Sequence, residues 1–555
     1  MPTFTRAVMR RKPLDQLVRE ADQEGEHGGL RRTMGLGQLT MLGISSVVGT
    51  GIFFVLGSAV PKAGPAVVLA FALAAVVAGL GALCYAELAG AVPVAGSTYS
   101  YAYASLGEGA AYLVAWCLIL EYGVAVATVA VSWGQYLNEV TDALFGFTLP
   151  DVISQPPGAG GVFNLPALSV VLLCSLLLVR GTRESAIVNT VMVCIKIGVL
   201  VLFVAVALTA FDSDRLGDFA PHGVAGVTLA ASGVFFSFIG FDAVSTAGEE
   251  VRNPRRTVPL AILLTLLAVT VLYGAVALAG VGAQDSARFG EQADAGEAVL
   301  AEILRAVTGT GWPALVLSAG AVVSIFSVVL VTLFGQTRIL FSMARDGLVP
   351  QVFSRVDRKR HTPAHNTWIV GAGVGLLATF VPLQQLADLT SLGTLMAFVA
   401  VAAAVVVLRR TNPDAPRPFR LPLHPLVPVL AAVSCLYLAW LLPGLTWTLF
   451  GAWLLLAAGL YLGFGRRHSR LERAGGESDA ATVGTATVGT ATVGTATVGT
   501  ATPGAATPGA ATPGAANPGT TTSLTTTPVV SAAGTAPPSA VTAPEAPEAA
   551  AGPTA

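Results

Sequence analysis

Gly43-Ile44-Ser45-Ser46-Val47-Val48-Gly49-Thr50-Gly51-Ile52-Phe53 decides the fold of this chain. The run is apolar enough for a bilayer, yet a Gly-Thr-Gly interruption sits near its middle. A second run has the same character: Ser232-Gly233-Val234-Phe235-Phe236-Ser237-Phe238-Ile239-Gly240-Phe241-Asp242. Irregular backbone exposed to lipid is not tolerated at membrane depth, so a broken helix survives only where it lines a cavity or is buried in protein. Taken alone, such glycines serve close helix packing. Two matching interruptions, one ending in a carboxylate that is expensive in lipid, point instead to a cavity.

The rest of the chain supports a membrane setting. Of its 555 residues, 54% are hydrophobic and 11% charged, and its mean hydropathy is +0.70. A soluble domain carries about 25% charged residues, so a soluble enzyme is excluded. The formal net charge of −1 offers no basic excess for nucleic acid. The five cysteines (Cys84, Cys117, Cys174, Cys194 and Cys435) lie in apolar runs and show no disulfide or zinc spacing. The six histidines fall in loops or at span ends, and no Ser/His/Asp set or metal cluster is apparent, so no enzyme is expected.

Twelve runs are long enough to cross a bilayer. They lie near 36–60, 65–90, 109–136, 164–180, 185–210, 226–246, 257–281, 312–342, 366–382, 388–408, 424–442 and 446–464. With the N-terminus placed inside, 26 of the 31 Lys and Arg fall in the N-terminal arm or in the even-numbered connections. A wrong span count would scramble that asymmetry, so both termini are expected in the cytoplasm. The organisation is an arm over 1–35, a twelve-span membrane domain over 36–465 and a tail over 474–555. The tail's Thr-Ala-Thr-Val-Gly and Ala-Ala-Thr-Pro-Gly repeats predict disorder.

The breaks sit in spans one and six. Five spans separate them, so the second set enters from the opposite side. That predicts an all-α membrane protein with a five-plus-five inverted repeat and two added C-terminal helices. In such folds half-helix N-termini meet an anionic group and unwound carbonyls meet a cationic one. The N–H groups of Thr50 and Gly51 suit a carboxylate. Free carbonyls around Val47, Phe236 and Ile239, beside Gly240, suit an α-ammonium. Gly49, Asp242, Ser324 and Ser327 are candidates for the cavity or its gates.

Apart from Arg338 and the residues at span limits, four charges lie within spans: Glu87, Glu121, Lys196 and Asp242. Glu87 is close to a span end and reads as snorkelling to the interface. Glu121 and Lys196 are close to mid-membrane. A buried lysine can load and release a proton. It can equally be a fixed tie between helices, paired with Glu121.

Three further stretches carry a family likeness: Pro93 to Tyr103 (PVAGSTYSYAY), Phe235 to Pro259 (FFSFIGFDAVSTAGEEVRNPRRTVP) and Gly335 to Pro350 (GQTRILFSMARDGLVP). Together with Gly49-Thr50-Gly51-Ile52-Phe53 they resemble the amino acid–polyamine–organocation transporters, cationic amino acid branch, over about residues 31–465. The resemblance implies alternating access. It implies an amino acid held by Val47, Thr50, Gly51, Phe236 and Ile239, and a proton-coupling role for Lys196 with Glu121. No cofactor and no sodium site are expected, only a proton as coupling ion.

The expectation is a proton-coupled importer in the plasma membrane, with cationic amino acids slightly ahead of neutral ones such as alanine. An exchanger without net proton coupling, or a sensor that binds without transport, are the alternatives. The partners are the amino acid and the bilayer, with room for a small membrane-protein subunit and none for nucleic acid. The Ala, Gly, Val and Arg content, with four lysines, points to a bacterial source.

Overall fold

A computed structural model describes residues 9–13, 34–92, 97–180, 186–247, 251–357 and 362–469. The predicted tail, most of the arm, Pro93–Gly96, Gly248–Glu250 and Arg358–His361 lie outside the described residues. What is described is helical throughout, and its one β contact is an isolated bridge between Met34 and Val251.

Each predicted span coincides with a helix. The first is split into α1 (Leu36–Val47) and α2 (Thr50–Ala63), and the second is α3 (Val67–Ala91). A short helix, α4 (Ser97–Ser105), leads into the third span, α5 (Glu108–Phe145). Then come α6 (Leu165–Arg180), α7 (Ala186–Ala207) and α8 (Gly223–Val234), the last being the first half of span six. Span six continues as a 3-10 turn (Phe235–Phe238) and a single helical turn (Ala243–Thr246). After α9 (Pro254–Ala283), two helices that the hydropathy reading passed over, α10 (Ser286–Asp294) and α11 (Val299–Thr308), precede the eighth span, α12 (Trp312–Arg345). Spans nine to twelve are α13 (Ala364–Phe380), α14 (Leu383–Thr411), α15 (Leu426–Trp440) and α16 (Gly444–Leu460).

Eight segments are long and apolar enough to cross a bilayer by themselves. One of these, Gly51–Ala91, is two antiparallel spans joined through a turn at Gly64–Ala66, where Gly64 takes φ +63. The chain is an all-α membrane protein whose first and sixth spans are broken.

The third span is the buried axis, packed on α12 and α14. It runs past the predicted end at 136 because its last turns have partners. Glu139 takes Arg305 of α11 at 2.7 Å, and Arg305 is also held by Glu302. The α10 and α11 pair thereby sits on α2, where Gly57 faces Ala293 and Val299.

The snorkelling reading of Glu87 is overturned. Glu87 is 2% exposed. Its carboxylate is gripped by the Arg409 guanidinium from the end of α14 and by the Leu421 N–H at 2.8 Å. Arg417 lies 3.7 Å away. Burying a charge requires such partners.

Candidate functional site

The first break is local geometry. α1 stops at Val47, Val48 leaves helical space at ψ 87, and Gly49 is extended at φ −136, ψ −143 before α2 begins at Thr50. A Cβ on Gly49 would stand 3.1 Å from Val328 of α12, so the eighth span presses on the break. The first-turn N–H groups of α2 have no partner within their own helix and face the gap.

The second break meets the first. Gly51 leaves no room for a side chain: a Cβ there would lie 2.4 Å from Ser237 Cα. Gly240 returns the contact. Its φ is +111, which suits glycine, and a Cβ would lie 2.7 Å from the Ser46 carbonyl oxygen. The two broken spans are thus in backbone contact on both sides of the first break. The sequence offered the N–H groups of Thr50 and Gly51 to a carboxylate; the side-chain position of Gly51 is filled by the backbone of span six, which leaves its N–H for an anion.

The Val47 carbonyl, expected to be free, is not. It accepts the Gly49 N–H at 2.8 Å and the Tyr273 hydroxyl of α9 at 3.0 Å. Both lone pairs are engaged. The Phe236 carbonyl accepts the Ile239 N–H at 3.3 Å. Phe54, Phe236 and Ala387 form an apolar cluster separate from the main core, with Ile239 and Leu383 packed against it. The two rings meet edge-on at 5.7 Å. This cluster joins both breaks to the start of α14.

Lys196 is fully buried and donates to Ser45 on α1, at 2.8 Å to the carbonyl and 3.3 Å to the hydroxyl. The expected tie to Glu121 is not formed among the described residues. Glu121 abuts Gly393 of α14 instead, with Thr394 beside it. Its sequence neighbour Tyr122 donates to Asp242 at 3.0 Å. Asp242 is 1% exposed and bounds the same buried region between spans three, six and ten. The lysine therefore belongs to α1, the first half of span one, and the two carboxylates belong together between spans three, six and ten.

Ser324 and Ser327 on α12 are buried and have no partner among the described residues. Ser327 is next to Val328, which touches Gly49. Ser237 is a third such hydroxyl, against Gly51. Ser237 lies inside the second interrupted run, where a serine by itself is indistinguishable from ordinary helix packing. Tyr273, Ser45, Tyr122 and Phe54 were also passed over, because nothing in their spacing separates them from helix packing.

A family model described as amino acid permease matches residues 34–461. The methylthioribose transporter of Bacillus subtilis is 39% identical over 470 residues, covering 84% of this chain and 100% of the relative. The branched-chain amino acid permease BcaP of Bacillus subtilis is 42% identical over 471 residues, covering 84% and 99%. Cationic amino acid transporter 4, vacuolar, of Arabidopsis thaliana is 34% identical over 432 residues, covering 74% and 68%.

Proposed function

Because the chain belongs to the amino acid permease family, we propose that it carries a neutral amino acid with an apolar side chain across the cell membrane, driven by protons. The observation that carries the substrate class is the separate cluster of Phe54, Phe236, Ile239, Leu383 and Ala387. It supplies an apolar surface where the two breaks meet. An apolar side chain laid on it leaves water at about 25 cal/mol per Å² of area removed. This departs from the cationic preference read from the sequence, and the identity to a branched-chain permease supports the change.

The substrate carboxylate lies on the N–H groups at the start of α2, where the helix dipole favours negative charge. Its ammonium lies on the carbonyls of Phe236 and Ile239. Val47 keeps its carbonyl for Tyr273 and Gly49 and shapes the break. Lys196 carries the coupling. As an ammonium it can hold the Ser45 carbonyl and hydroxyl; after losing the proton, its hold on α1 weakens and the inner half-helix is released. Both termini face the cytoplasm, the side on which the arginines gather.

A cationic substrate is the second reading. Asp242 and Glu121 make no ion pair among the described residues, so a cationic side chain would find an acceptor between spans three and six.

Uptake of labelled leucine, alanine and arginine into liposomes, with and without an inward proton gradient, tests both readings. Leucine uptake stimulated by the gradient is expected. Arginine uptake in its place would move the substrate to the second reading. Lys196→Ala should retain leucine binding and lose the stimulation; full gradient-driven uptake in that variant removes Lys196 from the coupling. Uptake stimulated by amino acid on the far side, and indifferent to the gradient, would make the protein an exchanger.

A further inference from the structure

The arginine-rich end of the bundle carries a patch that the transport site does not use. Gly90, near the end of α3, is where two loops meet. A Cβ there would lie 3.3 Å from the Arg255 carbonyl oxygen, 3.3 Å from the Pro259 ring and 3.9 Å from Phe419 Cβ. The start of α9 and the loop after α14 therefore face each other across one glycine. The loop is held from within. Arg417 donates to the carbonyls of Leu408, Asn412, Pro413 and Ala415, and Arg409 and Leu421 close on Glu87.

Those contacts consume Arg409, Arg417 and the nearest buried carboxylate. Arg255 and Arg256 on one side, and Arg410 and Arg420 on the other, are exposed. No side-chain hydrogen bond or ion pair engages any of the four among the described residues. Asp414 is the single acidic residue in the loop. Four unpaired guanidinium groups repel one another, and each presents a donor fork that matches a phosphate. An apolar flank adjoins them: Leu260, one turn after Arg256, is 46% exposed, and Leu423 and Leu426, just after Arg420, are 71% and 53% exposed. A free phosphate has no use for that flank. A lipid has a phosphate for the arginines and acyl chains for the leucines.

We infer that Arg255, Arg256, Arg410 and Arg420 form a binding site for the headgroup of an anionic phospholipid in the adjoining leaflet. The headgroup bridges the start of the seventh span to the loop between spans ten and eleven. α9 follows directly on the broken sixth span, so the lipid braces the element that transmits movement from the break. Clusters of Lys and Arg at a membrane surface recruit anionic lipid through the same electrostatics.

The test uses the full chain in vesicles of pure phosphatidylcholine and in vesicles with a share of phosphatidylglycerol. Thermal stability and lipid retained in native mass spectrometry are the readouts. Phosphatidylglycerol should raise the melting temperature and be retained by the wild type. Arg255→Gln/Arg256→Gln/Arg420→Gln should lose both effects while melting as the wild type does in phosphatidylcholine. A control removing the same charge elsewhere at that end, Arg180→Gln/Arg345→Gln/Arg355→Gln, should keep them. Equal loss in both triple variants would reduce the effect to overall charge and overturn the site. A full response in the first triple variant would do the same. Inorganic phosphate reproducing the stabilisation in phosphatidylcholine would show that the patch binds a soluble anion, which also overturns the lipid assignment.

Discussion

Two glycines hold the broken spans against each other. Gly51 accepts the backbone of Ser237, and Gly240 accepts the carbonyl of Ser46. A methyl group at either place meets main chain, which cannot rotate away as a side-chain tip can. Overpacking of this kind costs about 1–3 kcal/mol, and Gly240 adds the strain of φ +111. Gly51→Ala and Gly240→Ala should each lower the melting temperature and weaken substrate binding by at least about tenfold, since 1.4 kcal/mol is a factor of ten. Gly198→Ala in α7, where nothing lies within 4 Å, should change neither. Thermal melting and equilibrium binding of labelled substrate check all three. Normal binding in the first two would separate the contact between breaks from the site. At this scale the sequence disclosed where the helices break, because glycine and polar residues in an apolar run are visible as letters. It did not disclose what each glycine faces. That depends on which backbone arrives from more than 180 residues away, and no local pattern records it.

The elements are tied at the arginine-rich end by buried carboxylates. Glu87 joins α3 to the end of α14 and to the loop that follows. Removing one partner of a buried pair leaves a charge uncompensated, at about 3–5 kcal/mol; Arg417, 3.7 Å away, offsets part of that. Arg409→Ala should therefore destabilise the protein by about 3 kcal/mol and speed amide hydrogen exchange over residues 412–421. Unchanged exchange there would mean that the loop is held by Arg417 alone. Glu108, at the start of α5, gathers three hydroxyls, from Tyr103, Tyr461 and Ser469, while its N–H donates to the Arg10 carbonyl. Lys12 reaches Asp346 at 3.6 Å, and Tyr99 donates to the same carboxylate at 2.7 Å. Glu108→Ala should loosen segments 9–13 and 461–469 together, read as faster tryptic cleavage at Arg10, Arg11 and Arg466. Cleavage at one end only would separate the two. The twelve spans were legible because hydropathy over about 20 residues is a strong signal. α10 and α11 were not, since α10 is polar on average and α11, at 10 residues, is far too short to span a bilayer. The pairing of Glu87 was missed because its partner is 322 residues distant.

At the scale of the whole molecule, the proposed transport calls for the first half of span one and the last half of span six to leave their neighbours together. The structure contains a link suited to that. Met34, just ahead of α1, pairs with Val251, just beyond the broken sixth span, and the Arg252 N–H donates to the Met34 carbonyl at 2.9 Å. The last half of span six also touches α4, where the Ser97 and Ser245 hydroxyls are 2.9 Å apart. These two contacts differ in kind. The first joins the segment ahead of one broken span to the segment just after the other. The second joins span six to the connection ahead of the third span, which is packed into the buried axis. If α1 and the turn Ala243–Thr246 travel as one body, a covalent bond at the first contact is harmless and one at the second is not. Both pairs are close enough for a disulfide to be geometrically reasonable. In a background with the five native cysteines replaced by alanine, Met34→Cys/Val251→Cys should retain uptake after oxidation. Ser97→Cys/Ser245→Cys should lose it and recover on reduction. Loss of uptake in the first pair would show that α1 moves independently of span six. Retention in the second would place the moving boundary elsewhere, between α4 and α5.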